Sequence, residues 1–265
     1  MNPRFAPVIP LEVACELSPS VLGDYHLLLA HDVLAHAKWY EDLYKNKGMD
    51  ILMDNSLIEL GYAMPLREVV EAANIVGAQY VILPDTLRDF DATMNQFHNA
   101  MNELDEIPWR NKRHLEFVPV IQGKSATEVI VMMDEVRTKC STVAIPRCMV
   151  EDFGSRRFAA YMAAKRGLRI HLLGFSGPEN LIDDIACARM PRVMGIDSAV
   201  PIRLALQDKG ISLDVCLDAG PREDYWDDPF GTDDRVSVRH KVGRIEENLT
   251  AIRKWLHMQE DNSDI

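Results

Sequence analysis

Short apolar runs recur along the chain, and six of them end on a polar residue. They are ILMD at Asp54, YVILPD at Asp85, FVPVIQ at Gln122, TVAIPR at Arg147, HLLGFS at Ser176 and VMGID at Asp197. Near-continuous apolar runs of this length are the pattern of parallel strands buried on both faces. Segments with helical spacing lie between them. Leu66, Val69, Val70, Ala73 and Val76 share one face of 66–76, and Val129, Met132, Met133 and Val136 share one face of 126–138. The same alternation predicts strand 26–31 before helix 35–46, 50–54 before 66–76, 80–85 before 88–105, 115–123 before 126–138, 142–147 before 155–166, 169–176 before 178–189, and 193–198 before 201–208. Residues 211–218 are predicted as an eighth strand and 240–258 as an amphipathic helix. Units of roughly 25–35 residues imply parallel pairing with right-handed crossovers. The expected architecture is α/β, a single (β/α)8 TIM-type barrel over 1–265, with an irregular loop at 219–238 and a frayed tail at 259–265. An open doubly wound sheet is the alternative, weakened because no G-x-G-x-x-G or P-loop sequence follows the first strand.

Composition narrows the class. A chain of 265 residues, 47% hydrophobic, suffices for one large barrel. Its five cysteines are scattered, without a CxxC pair, so neither a disulfide framework, a zinc cluster nor another metal site is expected. A reducing, cytoplasmic setting follows. Pro and Glu interrupt the first 20 residues, which predicts no secretory signal. No apolar run approaches the roughly 20 residues of a membrane span, so no membrane partner is expected. The net charge of −12 argues against a dedicated non-specific nucleic-acid binder. Local basic stripes exist at Arg110/Lys112/Arg113, Arg156/Arg157, Lys165/Arg166/Arg169 and Arg239/Lys241/Arg244; each alone reads as a solvated helix surface. Eight histidines show no HxH or HExxH spacing and read as core or surface imidazoles.

The C-terminal ends of barrel strands are where catalytic groups gather. Asp54 and Asp197 at such ends form a pair able to divide labour, one attacking and one moving a proton. At an anomeric carbon this is the retaining two-carboxylate logic with a covalent glycosyl intermediate. Each Asp could instead cap the following helix. Asp85 and Gln122 suit the edge of a planar heterocycle, because a carboxylate accepts and a primary amide both donates and accepts.

The ordered segments MDNS, ILPDTLRD, VIQGKS, VAIPR, HLLGFSGPENL and GIDSAVPIR, over roughly 50–206, resemble the tRNA-guanine transglycosylase family, also called queuine or archaeosine tRNA-ribosyltransferases. That family carries D-S-G-G-F, M-x-x-D-E-C, V-Q-G-G, G-G-L-A-V-G, L-M-G-V-G and F-D-C-V-x-P-T-R in the same order. The resemblance implies a (β/α)8 barrel that exchanges guanine for a 7-deazaguanine such as preQ0, without a cofactor. It implies Asp197 as nucleophile and Asp54 as general acid/base. Asp85 and Gln122, with Gly123, would read the base edge, and the backbone at Ala144 and Ile145 would meet its exocyclic oxygen. Leu173 and Gly174 would form the pocket floor, and Arg203 would hold the nucleic-acid strand. The departures carry information too. Ser56 and Leu57 replace the two glycines, Ile58 replaces the stacking aromatic, and Leu206 replaces the second Arg of P-T-R-x-x-R. The family's C-x-C-x-x-C…H zinc segment is absent. These features point to the zinc-free, DNA-modifying branch found in phage genomes, so DNA is the favoured partner over tRNA, beside the free 7-deazaguanine base. A homo-oligomer or helper protein is a further expected partner, and host cytoplasm is the setting for a phage-encoded chain.

Tyr62 or the 225–230 loop would then supply stacking, and Trp109, Tyr225, Trp226 and Phe230 are candidate contacts for an unstacked base. GFSGPEN (174–180) is a candidate phosphate cradle at a helix start. Two other classes compete. One is a barrel lyase or isomerase acting on a small phosphorylated substrate; no Lys ends an apolar run, which argues against a Schiff-base aldolase. The other is a non-catalytic subunit of a transglycosylase pair.

Overall fold

The structure, a computed structural model, describes residues 3–108, 112–175, 180–212, 229–230 and 235–258. Among the described residues, eight parallel strands alternate with helices: β1 Arg4–Pro7, β2 Tyr25–Leu29, β3 Asp50–Asp54, β4 Tyr80–Ile82, β5 Glu116–Val118, β6 Thr142–Pro146, β7 Arg169–Leu173 and β8 Val193–Ser198. They hydrogen-bond in two runs, β1-β8-β7-β6 and β2-β3-β4-β5. The β5–β6 seam is joined just past β5, where the Ala144 amide donates to Pro119 O at 2.9 Å and the Ile121 amide to Ala144 O at 2.9 Å. β1 and β2 lie side by side at the other seam. The chain is a (β/α)8 barrel, as its alternating pattern predicts.

Two apolar layers follow from strand alternation. Leu27, Leu29, Leu52, Ile82, Val118, Val120 and Ala144 fill the barrel interior together with Tyr25. Their neighbours Leu28, Ile51, Met53, Val81, Val143 and Ile145 face outward and pack under the helices. The helices supply matching apolar stripes; Val69, Val70, Ala73 and Val76 are buried on the helix Leu66–Val76. That helix stops at Gly77, whose φ of 72° is the left-handed conformation glycine tolerates. Helix Ala126–Val136 starts with a capping box between Ser125 and Glu128. Arg4 paired with Asp50, and Arg169 with Glu116, close the N-terminal end of the barrel.

Of the strand expected at 211–218, only Ile211 and Ser212 are described. Ile211 and Ser212 are irregular, the Ile211 amide donating to Asn248 Oδ1, and 213–218 lie outside the described residues. The strand beside β8 is β1, which the sequence pattern does not predict and which pairs from Arg4–Gly195 to Pro7–Ser198. It escapes the periodicity argument because it has only four residues, one of them Pro. In the 219–238 segment, residues 235–238 open the helix Arg235–His257, whose Ile245, Leu249, Ile252 and Leu256 are buried. The rest of that segment, apart from 229–230, and the tail 259–265 fall outside the described residues. Among the described residues, no helix is long and apolar enough to cross a membrane.

Candidate functional site

Five of the six polar strand ends meet at one place. Asp54, Asp85, Gln122, Arg147 and Asp197 line a single cavity of about 210 Å3 at the C-terminal mouth of the barrel. Ser176, the sixth, lies outside the described residues. Val8, Leu27, Leu29, Ile82, Val120 and Leu173 give the cavity apolar walls. Such a volume is below the roughly 300–1,000 Å3 of pockets for drug-sized ligands, so the group it encloses is small.

Asp54 ends β3, and its carboxylate accepts the Ser56 amide at 2.8 Å. That turn puts Ser56 at φ 61°, a left-handed conformation uncommon outside glycine. Burial drives the Asp54 pKa well above the carboxylate range, the charge of Glu59 adds to it, the Ser56 hydrogen bond opposes it, and Asp197 and Asp85 contribute the remainder. Glu59 also lines the cavity.

Asp85 and Gln122 form one hydrogen-bonded unit with Asn55. Asp85 Oδ1 accepts Asn55 Nδ2 at 2.8 Å and Oδ2 accepts Gln122 Nε2 at 2.8 Å. The Arg88 amide donates to Gln122 Oε1 at 3.0 Å, which fixes which end of the Gln122 amide is oxygen. Burial raises the Asp85 pKa against the two amide hydrogen bonds. Cys148 is close by, its thiol pushed up to about 11 by burial, so it is a neutral neighbour at pH 7.

Asp197 sits deep at the end of β8. Its Oδ1 accepts the Gly174 amide at 3.0 Å and lies 2.9 Å from His171 Nε2. The other His171 ring nitrogen is 2.6 Å from the Tyr25 hydroxyl. His171 and Tyr25 are fully buried inside the barrel. Two guanidinium groups reach the cavity. Arg88 is engaged by Glu151 and Asp152. Arg147 is exposed, and no hydrogen bond or ion pair holds its guanidinium among the described residues. No Lys lines the cavity among the described residues. Nor is any group of three or more His, Cys, Asp or Glu placed to hold a metal ion among them.

The expected residues therefore divide. Asp54, Asp85, Gln122, Leu173, Gly174 and Asp197 come together. Gly123, Ala144, Ile145 and Arg203 do not line the cavity. A Cβ at Gly123 would lie 3.1 Å from Glu128 Cβ, so its place is against the start of the next helix. The Ala144 amide is spent on Pro119 O in the β5–β6 seam, and the Ile145 side chain faces the helix layer. β6 runs on through Pro146, which puts Pro146, Arg147 and Cys148 at the rim instead. Arg203 is half-buried on the helix Val200–Leu206. Of the stacking candidates, Ile58 lines the cavity half-exposed, whereas Tyr62 does not line it. Phe230 packs on the core, and Trp109, Tyr225 and Trp226 lie outside the described residues, as do 176–179 of the expected phosphate cradle. Sequence reasoning did not single out Asn55, Glu59, Arg88 or His171 as site residues. Asn55 and Glu59 flank Asp54 in the chain, so proximity was the available signal; a His inside an apolar run carries none.

No family model matches the chain, and no curated protein does. Solved structures do. An enolase, a putative galactarate dehydratase from Agrobacterium radiobacter, aligns at TM-score 0.50 and 10% identity over 76% of this chain and 52% of that one. An enolase protein from Sargasso Sea environmental sequencing aligns at TM-score 0.48 and 10% identity, covering 74% and 54%. An aldolase, QR15, aligns at TM-score 0.46 and 14% identity, covering 74% and 89%. The matched region spans about half the length of each enolase chain. At 10% identity, the first of these likenesses shows the fold, a TIM-type barrel.

Proposed function

We propose that the chain is a base-exchange transglycosylase that replaces guanine in a nucleic acid, DNA in preference to tRNA, with a 7-deazaguanine. The observation that carries this reading is the pair Asp54 and Asp197 lining one small cavity in different surroundings. Carboxyls whose environments differ are the mark of divided acid–base roles. Asp54, with its raised pKa, is the proton carrier. Asp197 has one oxygen occupied by two donors, and its Oδ2 has no donor among the described residues. The left-handed backbone at Ser56 adds support, because the resembled family carries glycine at that position.

Asp197 Oδ2 attacks C1′ of the target nucleotide. The C1′–N9 bond breaks, its electron pair goes to the departing guanine, and Asp54 delivers a proton to that base. Asp54 is then a carboxylate and removes the N9 proton of the incoming 7-deazaguanine. N9 attacks C1′, the aspartyl ester C–O bond breaks, and the Asp197 carboxylate is restored. The Asn55–Asp85–Gln122 unit lines the cavity where the base edge would lie, the remaining lone pairs of Asp85 accepting from it, and Arg147 meets the backbone phosphates. A guanine in a duplex has to leave its stack to enter.

The test supplies labelled guanine or preQ0 with duplex DNA or with tRNA, and follows both incorporation and a denaturation-resistant protein–polymer adduct. DNA incorporation and an adduct that Asp197→Ala abolishes are the expected result. Label in neither polymer and no adduct would sink the proposal. A second reading, an acid–base lyase or isomerase for a small phosphorylated substrate, rests on the same pair with Arg147 as anion partner. It gains if the polymers fail and small phosphorylated acids protect the cavity.

A further inference from the structure

We propose that His171 and Tyr25 are positioning residues that hold the Asp197 carboxylate for attack, with the imidazole locked as its Nε2–H tautomer. The proposal deepens the base-exchange reading and rests on it. Neither residue lines the cavity, so neither touches a ligand there. They form a column below it: Asp197 Oδ1 to His171 Nε2 at 2.9 Å, then His171 Nδ1 to the Tyr25 hydroxyl at 2.6 Å.

With Asp197 ionised and the ring neutral, as the proposal takes them, the hydrogen-bond roles in this column follow from what each group can do. An ionised carboxylate only accepts, a neutral imidazole has one donor and one acceptor nitrogen, and a phenol can donate. The arrangement that satisfies all three has Tyr25 donating to Nδ1 and Nε2–H donating to Asp197. Tyr25 keeps its proton because burial drives its pKa strongly upward. Arg4 opposes that rise, and the negative charges of Asp197 and Asp50, with the Tyr80 phenol, reinforce it. Arg4 lies 4.3 Å from the Tyr25 ring centroid and is itself paired with Asp50. No other arrangement of a neutral ring gives Asp197 a donor.

The consequence is geometric. With Oδ1 bonded to both Nε2–H and the Gly174 amide, the carboxylate cannot turn about its bond to Cβ without losing two partners. The peptide leading into Gly174 is held in turn, because the buried Arg156 donates to Leu173 O at 3.1 Å while its other nitrogens grip Asp184. Groups held this way by supporting side chains keep the narrow geometry that attack at one carbon requires.

Three variants separate positioning from bulk. His171→Gln keeps an N–H donor near the Nε2 position, His171→Leu removes it at similar volume, and Tyr25→Phe removes only the hydroxyl. Nitrogen-15 NMR of the ligand-free protein reads the tautomer directly. Nε2–H is expected for His171 in the parent chain, with an altered ring-nitrogen signature in Tyr25→Phe. Adduct formation is expected to slow on the order of 10²-fold in His171→Leu and to recover to within about tenfold of the parent in His171→Gln, with KM for the free base unchanged. Thermal melts on each variant show that the compared proteins are folded. An Nδ1–H tautomer, or His171→Leu reacting at the parent rate, overturns the positioning role alone. Failure of the parent chain to form any adduct overturns the base-exchange reading, and the positioning role with it.

Discussion

The Asp54 carboxyl accepts a backbone amide that favours its charged form, yet burial and the facing Glu59 push the other way and win. A carboxyl with a raised folded pKa keeps a proton that the unfolded chain has released, across the window from about 3.9 up to the folded value. Stability therefore falls as pH rises through that window, and the full penalty stands above it. Asp54→Asn removes a charge that the folded state disfavours. The melting temperature at pH 7 should rise, by roughly 2–4 °C for each kcal/mol relieved in a protein of this size, and its pH dependence above pH 4 should flatten. Base exchange should fall by on the order of 10²- to 10⁴-fold in the same variant. A scan of melting temperature against pH on both proteins checks the first part; a variant less stable at pH 7 would contradict it. Asp54, Asp85, Gln122 and Asp197 were legible in the sequence because each breaks an apolar run where a barrel strand reaches its mouth. His171 was not legible, because a buried imidazole within RIHLL reads the same whether it fills space or orients a carboxylate; only the fold brings Asp197 above it and Tyr25 below.

β8 shows how one residue decides which way the site faces. Val193 and Ile196 both pack under the helices although they are three residues apart, which plain alternation forbids. The β7–β8 register explains it: Ile170 pairs with Val193 and His171 with Gly195, so Met194 is an extra residue. This bulge shifts the parity of the strand and turns Gly195 and Asp197 inward. Gly195 has no room for a side chain there, since a Cβ would lie 2.4 Å from Arg4 O and 2.7 Å from Tyr25 Cε1. Gly195→Ala should thus cost about 1–3 kcal/mol by overpacking, and adduct formation should drop because the displaced ring is Tyr25. Urea unfolding with an unchanged m-value, beside the adduct assay, checks both. Stability within about 0.5 kcal/mol of the parent would mean that β1 yields without cost. The apolar run VMGID was legible as a strand, but its bulge was not: five residues carry no mark of which one lacks a partner. β1 was missed for the opposite reason, its four residues being too few to show a period. Helices are legible where a long amphipathic face repeats, as in Leu66–Val76. The pattern is less sharp at 35–46 and 155–166, whose neighbourhoods hold two short helices each: Ala30–Ala35 with Ala37–Tyr44, and Met149–Phe153 with Arg157–Lys165.

At the scale of the whole molecule, the proposed polymer partner meets a protein of net charge −12. Several basic residues that form stripes in the sequence are already neutralised in the fold. Arg156 is buried against Asp184, Arg157 pairs with Asp183, Arg166 with Asp134, Arg169 with Glu116 and Arg244 with Glu247. At the cavity mouth Arg88 is held by two acids, which leaves Arg147 as the unpaired guanidinium among the described lining residues. Affinity for a nucleic acid falls with salt by a logarithmic slope of about 0.9 per phosphate neutralised. A contact built on Arg147 and one more cation predicts a slope of only about −1 to −2, or about a 4- to 16-fold loss between 50 and 200 mM salt. Arg147→Ala should remove about one unit of that slope while leaving the Asp54–Asp197 pair intact. Fluorescence anisotropy of a labelled duplex across that salt range measures it. A slope of about −6 or steeper would mean that cations away from the cavity mouth hold the polymer. A shallow slope implies that binding in physiological salt is weak unless a second, basic protein brings the nucleic acid to the barrel, and adding such a protein should steepen the slope without changing which base is exchanged.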